Sequence, residues 1–110
     1  MISKEDVINI NKVFHKGNIV NNGSLEFAFS HTKDSKDWIK QLAYLVRAIL
    51  IDHVFEDGNK RTASNLIMTV LENQKLAYDP NRINQIIIKI LKDNISSVEK
   101  IRRMIKNAER

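Results

Sequence analysis

The amino-acid sequence predicts an all-α protein that folds as one domain. Strand-type alternation of apolar and polar residues is scarce, and the 110 residues include only three glycines and one proline. Apolar residues instead recur at spacings of three and four along several long segments, which is typical of helices with one buried face. No linker, repeat or low-complexity tract divides the chain. We therefore predict a single compact domain over residues 1–110.

The first predicted helix runs from about Glu5 to Lys16. Ser3 is placed to cap its N-terminus, and Gly17 is a natural stop. The next segment, Asn18 to His31, is less regular, because Asn21-Asn22-Gly23 indicates a turn. A weak alternation then follows, which allows a short extended flap or β-hairpin and equally allows a helical turn. Its apolar members are Leu25, Phe27 and Phe29.

Two strongly apolar helices are predicted in the middle of the chain. The first spans Asp37 to Asp52 and would be capped by Asp34 or Ser35, and the second spans Lys60 to Asn73. A helix that is apolar nearly all round is usually buried, so both should be central.

Two further helices close the chain. Asp79-Pro80, a cap followed by proline, begins one that ends at Asn94. Ser96-Ser97-Val98-Glu99 has the pattern of a capping box and begins the last. The predicted architecture is a bundle of about five helices plus the flap.

Composition excludes several classes of function. The chain has no cysteine, which excludes disulfides, thiolate zinc sites and cysteine nucleophiles. This fits a reducing compartment, and the polar start of the chain lacks a signal-peptide pattern, so a cytoplasmic location is expected. The apolar runs are too short for a membrane span. The net charge of +5 suits a solvated basic surface and would also attract ATP, acidic proteins or nucleic acid.

The stretch from His53 to Ala63 joins the two apolar helices and is unusually dense in polar chemistry. It reads His-Val-Phe-Glu-Asp-Gly-Asn-Lys-Arg-Thr-Ala. Gly58 permits backbone angles that other residues resist, and the first amides of the following helix are unpaired, so they favour phosphate. Lys60 and Arg61 add positive charge there. The residues Gly58, Asn59, Lys60 and Arg61 are therefore predicted to form an anion-binding nest.

The residues before the nest have the chemistry of a metal-assisted proton transfer. Asp57 offers a hard carboxylate beside phosphates, the usual way to hold Mg²⁺. His53 offers an imidazole that can accept a hydroxyl proton. Phe55, apolar among polar neighbours, is predicted to anchor the loop in the core, and Glu56 to face solvent. A structural alternative is that Asp57 only caps the next helix and that Lys60 and Arg61 form a solvated turn.

The pattern His-x-Phe-x-Asp-Gly-Asn-Lys-Arg resembles the signature of the Fic/Doc family. Its members have a compact helical fold and transfer part of a nucleotide, most often AMP from ATP, to a hydroxyl of a target protein. The resemblance implies that His53 is the general base, that Asp57 is the Mg²⁺ ligand and that the residues from Gly58 to Arg61 hold the ATP phosphates. It also implies a flap that docks the target by strand pairing. The residues placed for this flap are Asn22, Gly23, Ser24, Leu25, Glu26 and Phe27.

Two departures from the usual motif resemble the Doc branch of the family. Lys60 replaces a second glycine that AMP-transferring members usually carry, and Ser64 replaces a second arginine. Doc-like toxins transfer the γ-phosphate of ATP to a translation factor, and phosphoryl transfer depends mostly on positioning and charge. The resemblance thus implies a toxin-like kinase. AMP transfer and a non-catalytic nucleotide-binding scaffold are the alternatives.

Three expectations concern regulation and the remaining charged residues. The family's inhibitory Ser/Thr-x-x-x-Glu-Gly/Asn pattern is not matched, since Thr69 to Asn73 is one residue short, so a separate antitoxin is the expected regulator. The basic last helix is expected to be a solvated face, with nucleic-acid binding disfavoured because no recognition-helix pattern accompanies it. His15 and His31 lack supporting neighbours and are predicted to be surface residues.

Overall fold

The structure, a computed structural model, describes residues 2–108 and confirms the all-α prediction. Within these residues there is no β-strand, and one isolated antiparallel bridge pairs Ile19 with Phe55. The described residues form six helices, one more than the sequence predicts. They are α1 (Lys4–Phe14), α2 (Asn22–Thr32), α3 (Trp38–Leu50), α4 (Asn59–Asn73), α5 (Pro80–Lys92) and α6 (Val98–Lys106).

Helix α3 lies at the centre of the bundle. It packs against α2, α4, α5 and α6, while α1 packs against α4. Its apolar side chains point into several interfaces at once, which is why almost every face of the helix is hydrophobic. The predicted central position of α3 and α4 is confirmed by their fully buried residues, among them Leu45, Ile49, Leu66 and Ile67.

Two of the predicted N-terminal caps are confirmed, and two are wrong. Ser3 forms a capping box with Asp6, and Asp79 caps α5 ahead of Pro80. Helix α1 ends at Phe14, before the predicted stop at Gly17, which has a φ of +74°. The predicted caps of α3 and α6 are wrong. Asp37 rather than Asp34 or Ser35 caps α3, and Ser97 alone caps α6 without the predicted box.

The prediction of an extended flap is wrong, because its residues form α2. The Asn21 side chain caps the helix by accepting the Ser24 N–H. Leu25, Ala28 and Thr32 then lie on one buried face, at the spacing of a helix. Burying this face against α3 outweighs the weak alternation of Leu25, Phe27 and Phe29. The residues Asn22, Gly23, Ser24, Leu25, Glu26 and Phe27 therefore present no strand edge to a target.

Asp37 links the start of α3 to α6 and carries a prediction about acid stability. One carboxylate oxygen accepts the N–H groups of Ile39 and Lys40, and the other accepts from the Arg102 guanidinium at 3.0 Å. Burial raises the pKa of Asp37, but the hydrogen bonds from Lys40 and Arg102 outweigh it and hold the pKa below its ordinary value of 3.8. A depressed pKa in the folded state stabilises the protein above the unfolded-state pKa, and this contribution is lost as the pH falls through the folded-state pKa.

We expect Asp37→Asn, which keeps a capping oxygen, to cost about 0.5–1 kcal/mol at pH 7 because the partly exposed ion pair with Arg102 is lost. The difference from wild type should shrink as the pH is lowered below 3.8, towards the depressed pKa of folded Asp37. Urea denaturation at pH 7 and pH 3 measures it. A difference that stays constant over this range would contradict the ion-pair assignment.

Candidate functional site

The segment between α3 and α4 is anchored by two buried residues. Val54 is fully buried and Phe55 is 1% exposed, so the predicted role of Phe55 as an anchor is confirmed. The Asn59 side chain holds the Phe55 backbone on both sides, because its oxygen accepts the Phe55 N–H at 3.1 Å and its nitrogen donates to the Phe55 carbonyl at 2.9 Å. The side-chain oxygen and nitrogen of Asn59 are therefore both engaged within the protein, and its backbone N–H lies at the start of α4.

The connection between α1 and α2 runs antiparallel beside this segment and forms backbone hydrogen bonds with it. The N–H of Val20 donates to the Val54 carbonyl at 2.8 Å, and the N–H of Glu56 donates to the Asn18 carbonyl at 2.9 Å. The Ser24 hydroxyl also donates to the Asp52 carboxylate at 2.5 Å. The chain on both sides of His53 is thus fixed by hydrogen bonds, although His53 itself is exposed.

Gly58 directly precedes helix α4, and its φ of +77° lies in the left-handed region that favours glycine. No side chain caps this end of the helix. The first amide groups of an α-helix have no partners within the helix, so they can donate to a bound anion. Lys60 and Arg61 follow immediately and are exposed, and the Arg61 guanidinium lies 5.9 Å from the centroid of the Phe14 ring.

Asn11 of α1 positions the backbone of the site, a role that the sequence analysis did not assign. The residue is 1% exposed, and its side-chain nitrogen donates to the Asp57 carbonyl at 3.0 Å and to the Thr62 hydroxyl at 2.9 Å. Its oxygen accepts the Gly17 N–H at 2.8 Å. A sequence signal did exist, because Asn11 is a polar residue on the inward face of α1, four residues after the buried Val7, and buried polar residues are usually fully hydrogen-bonded.

His15 also belongs to this site, so the prediction that it is an unsupported surface residue is wrong. The imidazole lies against Gly58, where an added Cβ atom would sit 2.0 Å from the His15 Cδ2 atom. The His15 Nδ1 atom is 3.8 Å from a carboxylate oxygen of Asp57, and the side chain is 29% exposed. The local sequence carries no signal for this contact, because it depends on the packing of α1 against α4. The prediction for His31 is confirmed by its exposure.

These residues surround an open cavity of about 470 Å³ at the N-terminal end of α4. The structure brings the predicted metal ligand and all four predicted phosphate-binding residues to this one cavity. His53 is not among its lining residues and has a φ of +52°. The lining consists of His15, Glu56, Asp57, Gly58, Asn59, Lys60 and Arg61.

The two acidic residues of the cavity are accessible to a cation. The Asp57 side chain is 79% exposed, and one of its oxygens accepts the Gly58 N–H at 2.9 Å. Glu56 is exposed, as predicted, and accepts from the Asn18 amide. Within residues 2–108, no three His, Cys, Asp or Glu side chains are grouped closely enough to hold a metal by themselves. A single exposed carboxylate nevertheless fits Mg²⁺, which keeps several waters and takes other ligands from substrate phosphates.

Ser64 does not face this cavity. It is 7% exposed, and its hydroxyl donates to the Asn84 side chain at 3.1 Å across the interface between α4 and α5. The cations at this end of α4 are therefore those of Lys60 and Arg61, which line the cavity.

No protein-family model, curated protein or solved structure matches this chain. In the part of the chain that the structure describes, no helix is both long and apolar enough to cross a membrane.

Proposed function

We propose that this protein is a Fic/Doc-type transferase that moves a phosphoryl group from ATP to a hydroxyl of a target protein. The observation that supports the proposal is the shared cavity of Asp57, Gly58, Lys60 and Arg61. It combines a carboxylate, an uncapped helix N-terminus and two cations. These are the groups that the phosphates of MgATP require, because catalysis of phosphoryl transfer consists mainly of positioning and charge stabilisation.

The proposed reaction assigns one task to each group. The α4 amides, Lys60 and Arg61 bind the phosphates, and Asp57 would hold Mg²⁺, which neutralises phosphate charge when it is bound. The target's hydroxyl oxygen forms a bond to the γ-phosphorus while the bond from that phosphorus to the bridging oxygen breaks, so that ADP leaves. His53 accepts the hydroxyl proton. Its exposure gives a hydroxyl on another protein access to the imidazole.

The choice of phosphoryl transfer over AMP transfer rests on Lys60 and Ser64. Lys60 places a long cation in the cavity where AMP-transferring relatives usually have glycine, and Ser64 is directed to Asn84 instead of supplying a second arginine. A different set of cations favours a different orientation of the triphosphate. Adenylyl transfer to a protein hydroxyl is the alternative.

The target is proposed to dock on the segment Asn18–Asn21 rather than on the residues of α2. Ile19 and Phe55 form an antiparallel bridge whose hydrogen bonds are made by the residues on either side of the pair. In such a pair the N–H and carbonyl of Ile19 point away from Phe55. An extended target segment could add there as a strand. The resemblance suggests a translation factor as the target, an antitoxin as the regulator and the cytoplasm as the location.

The test is to incubate the protein with Mg²⁺, a lysate of its host and ATP labelled at either the α- or the γ-phosphate. Label on a protein from γ-labelled ATP alone supports phosphoryl transfer. Label from α-labelled ATP would establish AMP transfer instead. Binding of ATP without labelling of any protein would favour the non-catalytic scaffold.

A further inference from the structure

His15 stands between two adjoining cavities at the N-terminal end of α4. A second cavity, of about 180 Å³, lies on the α1 side of the site. Only His15, Glu56 and Asp57 line both this cavity and the larger one. Two of these three shared residues are carboxylates, which repel phosphate. Among the described residues shared by the two cavities, His15 is therefore the one whose side chain can donate a hydrogen bond to an anion extending from one cavity into the other.

The position of the imidazole is fixed by packing. Its Cδ2 and Nε2 atoms lie against Gly58, at 2.0 and 2.6 Å from the place that a Cβ atom would occupy there. Its Nδ1 atom faces Asp57 at 3.8 Å, which is too long for a hydrogen bond. Within residues 2–108 neither ring nitrogen makes a hydrogen bond, so the imidazole, whose side chain is 29% exposed, keeps an unused donor for a ligand.

The second cavity has the composition of a phosphate or ribose subsite. Lys16 supplies a third cation and Asn18 an amide group, whereas both N–H donors of the Asn11 side chain already bind Asp57 and Thr62. The first amides of α4 can donate hydrogen bonds to only part of a triphosphate chain. The remaining phosphates would need other hydrogen-bond donors. The two cavities together provide such a path, with His15 at the point where they meet.

We propose that His15 is a nucleotide-binding residue that donates a hydrogen bond to the phosphate chain of a nucleoside triphosphate between the two cavities. This inference rests on the proposed function, because it names a further contact of the same site. It also gives Gly58 a second role, since any side chain at that position would displace the imidazole.

The test is isothermal titration calorimetry of MgATP with wild type and four variants. His15→Ala and His15→Leu remove the donor, and we expect each to weaken binding by about tenfold or more, as is typical for a hydrogen bond to a charged group. His15→Gln, which keeps an N–H donor at similar reach, should retain most of the affinity. His31→Ala removes a histidine that lines neither cavity and should bind as wild type does.

A structural role for His15 predicts a different order. Leucine fills the space beside Gly58 without donating, so wild-type affinity in His15→Leu would overturn the proposal, as would wild-type affinity in His15→Ala. Circular dichroism checks that each variant is folded. If His15→Ala is unfolded, the comparison of His15→Gln with His15→Leu decides the question.

The MgATP-binding experiment on His15 and the labelling experiment on transferase activity can fail independently. If wild type binds MgATP in a His15-dependent manner but transfers no label, the transferase proposal fails and the binding role of His15 stands. If label is transferred and the His15 variants bind as wild type does, only the present inference fails. Absence of any MgATP binding by wild type overturns both.

Discussion

Replacing His53 with alanine is expected to lower transfer from ATP to the target protein by about 10²–10⁴-fold, the contribution typical of a general base. The imidazole is the group in the motif that can take the hydroxyl proton as the oxygen attacks phosphorus. Alanine leaves the cavity from Glu56 to Arg61 intact, because His53 does not line it. The loss should therefore appear in the rate of labelling, with MgATP binding much less affected.

The positive φ of His53 calls for a second variant. Alanine at a φ of +52° carries backbone strain, whereas asparagine adopts such angles more readily and cannot act as a base at neutral pH. His53→Asn should lose labelling while keeping wild-type stability. His31→Ala should keep both. Substantial labelling by His53→Asn would remove the catalytic assignment from this residue.

The sequence predicted the helices whose N-terminal caps are formed by nearby residues. It did not predict helix α2, which forms because it packs against another helix. Ser3 and Asp79-Pro80 act within their own helices, so their positions could be read directly. Helix α2 has a weak apolar pattern and forms because Leu25 and Ala28 are buried against α3. Asp37 caps α3 and also binds Arg102, a residue of α6 that lies far away in the sequence.

The candidate site likewise contains residues that the sequence motif predicts and residues that only the packing of the helices brings in. Asp57 to Arg61 are consecutive, so one loop and one helix N-terminus bring them together at one cavity. Asn11 and His15 come from α1 and reach the loop only because α1 packs on α4. A motif confined to one segment could not reveal them, although the polar Asn11 on an inward face was a visible signal.

Replacing Phe55 with alanine is expected to lower the free energy of unfolding by about 3–5 kcal/mol, the usual cost of truncating a buried phenylalanine. This is a large share of the roughly 5–15 kcal/mol that stabilises a typical domain. Phe55 is 1% exposed and belongs to the main hydrophobic core, so its removal leaves a cavity that the surrounding helices cannot fill completely. Guanidinium denaturation at 25 °C, followed by circular dichroism, measures the change.

Phe27→Ala provides the matched control, because Phe27 is 45% exposed and its ring lies beside those of His31 and Tyr44. Its cost should stay near or below about 1 kcal/mol, as is usual for a partly exposed position. Phe55→Leu should recover much of the lost stability, since leucine refills most of the space. Because the Asn59 side chain bonds both backbone groups of Phe55, the weakened anchor should also loosen the loop that ends at Gly58. Phe55→Ala is therefore expected to bind MgATP less tightly even where it remains folded, and a stability loss no larger than that of Phe27→Ala would contradict the anchoring role.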